Sequence, residues 1–225
     1  MAKIDLRNPG RPIHAGVILM GGETEILDTA PIDLLHGITK KFAEQLPLPD
    51  EMKRQAIDVK FHWVNEKGTP ASFTSGINMQ TTDSFATCPP LDIVLMGAHW
   101  GHDPNEAELN FVRKSYNDCS AYLSICGGMM VPLLAGTLKG KTCTGPLPVL
   151  AQVKQGHPEV NWVEKRYVMD SDGKTWTSGA LLNGLDLMKA FVEKTWGGKG
   201  TYAEQVIRIG GWPVRSVEYR EDELM

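Results

Sequence analysis

Residues 119–137 read CSAYLSICGGMMVPLLAGT, and the cysteine in the middle of that stretch decides the fold. Ala121 to Ile125 has the composition of a short buried strand, Gly127 and Gly128 turn the chain, and Met129 to Leu138 carries helical apolar spacing. Cys126 therefore falls at a strand-to-helix corner. Working outward, residues 14–20, HAGVILM, form an apolar run that ends at Gly21-Gly22, and the run from Leu91 to Met96 stops at Gly97. Each reads as a buried strand entering a loop.

Between these strands the apolar period turns helical. In residues 27–46, LDTAPIDLLHGITKKFAEQL, the spacing of Ile32, Leu35, Ile38 and Phe42 behind Pro31 predicts a helix. Residues 47–55 read as a surface insertion and residues 56–65, AIDVKFHWVN, as a strand. A turn at Gly68 leads into less regular extended chain up to Cys88. A helix is predicted over 104–118, with acidic residues at its dipole-favoured start, and GKTCTG (140–145) reads as one more short strand. Residues 160–180 read as two strands joined by an Asp172-Gly173 turn, and residues 181–197 and 201–212 as two closing helices. Strands alternating with helices predict an α/β fold over a single domain, 1–225, with a mostly parallel sheet covered on both faces. Ligands bind at the carboxyl ends of such strands, where Gly21 to Asp28, Gly97 to His102 and the Cys126 corner would meet.

Bulk composition narrows the function. A net charge of -4 and no basic block longer than Lys40-Lys41 argue against a nucleic-acid partner, leaving a small-molecule substrate. No apolar stretch is long enough to span a bilayer and the first residues lack a signal-peptide layout, so a cytoplasmic protein is expected. The ending EDELM approaches a luminal retention tail that Met225 spoils. Four cysteines without a Cys-x-x-Cys pair suggest free thiols, and neither a metal nor another cofactor is expected.

A cysteine in a tight turn ahead of a helix has the setting of an activated nucleophile. The following helix dipole is expected to lower its pKa, and the first helical N–H groups, with Gly127 among them, would receive negative charge. Gly97 and Ala98 would supply a second donor. His99, Trp100 and His102 in GAHWGHD are candidates to line the pocket, whereas His14, His36, His62 and His157 show no partner spacing. Met129 and Met130 would form an apolar wall.

The segments VILMGGETEILDTAPIDLL, LDIVLMGA and LSICGGMMVPLLAGTLKGKTCTGP together resemble the ThiJ/PfpI superfamily, over nearly all of the chain. That resemblance implies a flavodoxin-like three-layer sandwich with a nucleophile elbow, related to class I glutamine amidotransferase domains, working as a homodimer without a metal. Three departures discriminate among its branches. Gly127 stands where PfpI-type peptidases carry His, Gly145 stands where the glyoxalase-like branch carries His, and no His-Glu pair follows the hairpin as in amidotransferases. The remaining similarity is to the isocyanide hydratase branch, which pairs its cysteine with an amino-terminal Asp. Here the entry LDTAP is one residue shorter before its proline, and Gly127 replaces the Thr often found after the nucleophile. The resemblance thus implies a hydratase-like lyase that uses Cys126 and Asp28, with Glu25 and Glu23 as alternative acids. A glutathione-independent glyoxalase-like enzyme and a non-catalytic redox sensor or chaperone with an oxidisable Cys126 are the rival expectations.

Overall fold

The computed structural model describes residues 3–223, so Met225 of the retention-tail reading lies outside it. In chain order the strands are β1 (Ile13–Ile18), β2 (Glu23–Thr24), β3 (Val59–Asn65), β4 (Ala71–Phe73), β5 (Ile77–Met79), β6 (Asp83–Ser84), β7 (Ile93–Met96), β8 (His99–Trp100), β9 (Ala121–Ser124), β10 (Thr142–Cys143), β11 (Asn161–Trp162), β12 (Tyr167–Met169) and β13 (Thr175–Ser178). The α-helices are α1 (Ile26–Thr29), α2 (Ile32–Gly37), α3 (Lys40–Ala43), α4 (Asp50–Lys53), α5 (Glu106–Asp118), α6 (Met130–Leu134), α7 (Leu147–Gly156), α8 (Asn183–Trp196) and α9 (Tyr202–Ile209).

A seven-stranded sheet in the order β12-β13-β9-β7-β1-β3-β6 forms the centre, parallel throughout except for the β12–β13 hairpin. Successive side chains of a strand point to opposite faces, and here both faces are apolar. Ile13, Ala15, Val17, Ile93, Leu95, Ala121 and Leu123 pack towards α2, α8 and α9. Ile18, Val94, Met96 and Tyr122 pack instead against Val112 and Tyr116 of α5 and Val131 of α6. Burying each such Leu, Ile or Val contributes about 1.5–3 kcal/mol. The expected α/β layering, flavodoxin-like with helices on both faces, is what these residues build.

Several elements differ from the sequence reading. The helix predicted over 27–46 is three short pieces. Lys40 N–H donates to the Ile57 carbonyl (2.8 Å) and Ile57 N–H to the Ile38 carbonyl (3.1 Å), which pulls the chain out of helical register at Thr39. Thr39 then caps α3 by accepting from Phe42 N–H. The helix after Cys126 begins as a 3₁₀ turn over Cys126–Met129 and ends at Leu134, because Gly136 takes φ +75° just beyond it. The chain between Gly68 and Cys88 contributes to a second sheet, β5-β4-β2-β8, and His99 and Trp100 are a strand of that sheet rather than a loop. Helix α7 adds an element between the strand expected at 140–145 and the hairpin, with Pro148 in its first turn, where proline fits.

His14 and His62, read as unpartnered, are in fact neighbours on β1 and β3. His14 Nδ1 lies 2.8 Å from His62 Nε2, and His62 Nδ1 lies 2.8 Å from the Asp83 carboxylate. Parallel pairing brings them together across strands that are far apart in sequence.

Candidate active site

The carboxyl ends of β9 and β7 carry the elbow. Strand β9 ends at Ser124, Ile125 N–H bonds the Met96 carbonyl of β7 (2.9 Å), and Cys126 turns the chain at φ +58°. A non-glycine residue in that region is strained, by about 1–2 kcal/mol. Close packing holds it there. A Cβ on Gly128 would sit 2.3 Å from the Met96 carbonyl oxygen, so only glycine lets the elbow rest against β7. The Cys126 N–H is fixed by the Gly179 carbonyl at 3.1 Å, just beyond β13.

Asp28 reaches this corner from α1 and is fully buried. It does not cap its helix. Its Oδ2 accepts the Ala98 N–H at 2.9 Å, its buried Oδ1 has no hydrogen-bond partner, and the Cys126 thiol lies near enough to the carboxyl group to act on its pKa. Gly97 makes room for this approach, since a Cβ there would lie 2.7 Å from Asp28 Cβ. Burial, opposed by the Ala98 bond and reinforced by the charge of Glu25, pushes Asp28 up to about 7.

The thiol behaves opposite to expectation. Burial, followed by the Asp28 charge, pushes Cys126 up to about 11, while N–H groups of Leu181 and Gly127 act the other way. A 3₁₀ turn followed by five helical residues supplies too little dipole to offset a half-buried thiol beside a carboxylate. Between these two values the pair holds a single proton, on sulfur. Asp28 is the more acidic of the two groups, and the thiol beside it keeps its proton to higher pH.

Other expected residues are distributed as follows. Gly127 N–H favours the charged sulfur, whereas the Ala98 N–H is committed to Asp28 and is not a free donor for developing charge. Leu181, absent from the sequence-based set, also favours the charged sulfur through its N–H and sits at φ +44°. Glu25 is occupied by the Thr74 hydroxyl at 3.2 Å, and Glu23 is exposed in β2, so Asp28 alone of the three acids meets the thiol. His99 has a buried, unpartnered Nδ1, and burial lowers its pKa. His102 Nε2 lies 2.7 Å from the buried Glu108, which also accepts from Gly21 N–H and Asn105 N–H. Trp100 is 61% exposed. Met129 is fully buried in a third apolar cluster with Leu138 and Cys143. Among the described residues no group of three or more His, Cys, Asp or Glu is arranged to hold a metal ion.

The model of the DJ-1/PfpI family matches residues 43–194, which include the whole elbow. The chain belongs to the DJ-1/PfpI family. Within its curated relatives it is 29% identical over 154 residues to an isonitrile hydratase of Pseudomonas putida, a match spanning 64% of this chain and 63% of the length of that protein. Among solved structures it is similar to a ThiJ/PfpI family protein from Pseudomonas syringae, with TM-score 0.70 and 19% identity over 92% of this chain and 77% of that one. Drosophila melanogaster DJ-1beta gives TM-score 0.68 at 16% identity over 91% of this chain and all of that one. An AraC family transcriptional regulator from Pseudomonas putida gives 0.66 at 16% identity over 88% of this chain and 99% of that one. A DJ-1/PfpI architecture thus serves proteins with quite different descriptions, and the side chains around Cys126 must carry the functional argument. No helix is long and apolar enough to cross a membrane among the described residues.

Proposed function

We propose that this DJ-1/PfpI protein is a cysteine-dependent hydratase-like lyase that adds water to a small apolar electrophile such as an isocyanide, giving an N-substituted formamide. The observation that carries the reading is the buried Asp28 carboxylate facing the Cys126 thiol with no His at either position where other branches place one. The Cys126 sulfur bonds to the terminal isocyanide carbon while Asp28 takes the thiol proton and delivers it to that carbon, leaving a thioimidate. Water then adds to the carbon with Asp28 as base, one of its protons passing through Asp28 to the imidate nitrogen; the resulting hydroxyl collapses to the carbonyl as the carbon–sulfur bond breaks, and its proton returns to sulfur as the formamide leaves. The Gly127 and Leu181 N–H groups stabilise the sulfur when it carries charge. The 29% identical isonitrile hydratase supports the substrate class.

Gly145 weighs against the glyoxalase-like alternative. The space beside Gly145 is taken by the Met129 methyl, which would lie 2.9 Å from a Cβ there, so an apolar group stands where that branch has its imidazole. We further propose a cytoplasmic homodimer. Formamide release from an alkyl isocyanide, run beside lactate formation from methylglyoxal, tests the function: isocyanide turnover lost in Cys126→Ala supports it. Cys126-dependent turnover of methylglyoxal alone refutes it, and selective peroxide oxidation of Cys126 without any turnover favours redox sensing instead.

A further inference from the structure

The chain beyond residue 194 lies outside the stretch that matches the family, yet it reaches the nucleophile through an unbroken series of hydrogen bonds. The Val217 carbonyl accepts from Arg166 N–H at 2.8 Å, the Arg166 carbonyl from Gly179 N–H at 2.9 Å, and the Gly179 carbonyl from Cys126 N–H at 3.1 Å. Side chains reinforce the same path. Arg166, only 4% exposed, donates from Nε to the Ser216 carbonyl, from Nη1 to Asn183 Oδ1, and from Nη2 to both carboxylate oxygens of Glu223 at 3.0 and 2.9 Å. Its guanidinium lies 4.9 Å from the Tyr219 ring centroid, and Asn183 Nδ2 donates to the Tyr219 hydroxyl at 2.9 Å. That hydroxyl presses on Gly179, where an added Cβ would lie 2.3 Å from it. Arg215 also holds the Leu182 carbonyl at 2.9 Å.

The segment clamped in this way, Gly179 to Leu182, fixes the Cys126 N–H through the Gly179 carbonyl, and it holds Leu181 at φ +44°, a left-handed conformation that this residue does not favour unaided. We propose that the carboxyl-terminal strap, Arg215 to Glu223, is a positioning element for the nucleophile, with Tyr219 and the Arg166–Glu223 pair fixing Gly179 and, through its carbonyl, the strained backbone of Cys126. Its catalytic meaning rests on Cys126 being the nucleophile, but the positioning itself is a property of the thiol and is measured without turnover.

The test follows iodoacetamide alkylation of each cysteine by peptide mass spectrometry across pH in the wild type, Tyr219→Phe and Glu223→Gln. Cys88, Cys119 and Cys143 serve as internal references, and a thermal melt of each variant reports folding. Releasing the Gly179 carbonyl lets the elbow relax from its φ of +58°, which carries the sulfur off the backbone N–H groups that favour its thiolate. Alkylation of Cys126 is therefore expected to slow about three- to tenfold at fixed pH, with its profile displaced to higher pH and the three reference cysteines unchanged. Tyr219→Phe leaves the ring in place, and Glu223→Gln attacks the strap at its far end, so one variant that fails to fold leaves the other to decide. An unchanged Cys126 profile in a folded variant, or equal changes at all four cysteines, would overturn the proposal. Isocyanide turnover absent from the wild type would defeat the proposed reaction but leave this result standing.

Discussion

Replacing Asp28 with Asn should make the protein more stable and its thiol more reactive while abolishing the proposed reaction. The amide is isosteric, and its carbonyl can still accept the Ala98 N–H, so little packing is lost. What is removed is a buried charge. Asp28 ordinarily titrates at 3.8 and here is pushed up to about 7, so the folded state holds its proton more tightly than the unfolded chain does. That contribution is fully present below 3.8 and is lost as pH rises through about 7. At about 1.4 kcal/mol per tenfold change in proton affinity, the wild type at pH 8 forgoes up to about 4 kcal/mol. Urea unfolding followed by tryptophan fluorescence should find Asp28→Asn more stable by about 2–4 kcal/mol at pH 8, with the gap closing towards pH 4. Because the Asp28 charge also raises the thiol, Cys126 should alkylate faster in the same variant. An Asp28→Asn protein that is equally stable at pH 8 and pH 4 relative to wild type, or whose thiol is slower, would refute this electrostatic description of the pair.

Two further outcomes follow from the same geometry. Isocyanide kcat/KM should rise with pH through about 7 as Asp28 ionises, then hold level until the thiol itself begins to titrate, and a profile falling across pH 6–8 would assign the proton differently. Gly97→Ala places a Cβ 2.7 Å from Asp28 Cβ, so it should cost about 1–3 kcal/mol in chemical denaturation and reduce turnover at least tenfold by displacing the acid.

The elbow was legible because its requirement is local: a short apolar strand, a residue held at positive φ, and a glycine pressed on the neighbouring strand all fall within Ala121 to Gly128. Asp28 was legible only through resemblance, since nothing in its spacing distinguishes a helix cap from a residue that reaches across to Ala98. The direction of the thiol pKa was not legible, because it depends on how deeply the corner is buried, and sequence shows the helix but not the depth. The two-residue strands β2 and β8 carry too little alternation to be recognised, and their pairing removed His99 and Trp100 from the loop expected of them. Leu181 could have been noticed only as a residue between a strand end and a helix. Its role comes from the strap that folds back over it, a contact between chain segments more than thirty residues apart, of which Arg166 to Glu223 is the clearest case.

The proposed reaction turns on a covalent bond between the Cys126 sulfur and the substrate carbon. The decisive measurement is to acid-quench the wild type and the Cys126→Ala variant a short time after mixing with an alkyl isocyanide and to analyse intact masses and peptides. A mass gain of one isocyanide located on the Cys126 peptide, transient in the wild type and absent from Cys126→Ala, is the predicted result. Formamide produced with no adduct on Cys126, and at an undiminished rate in Cys126→Ala, would contradict it.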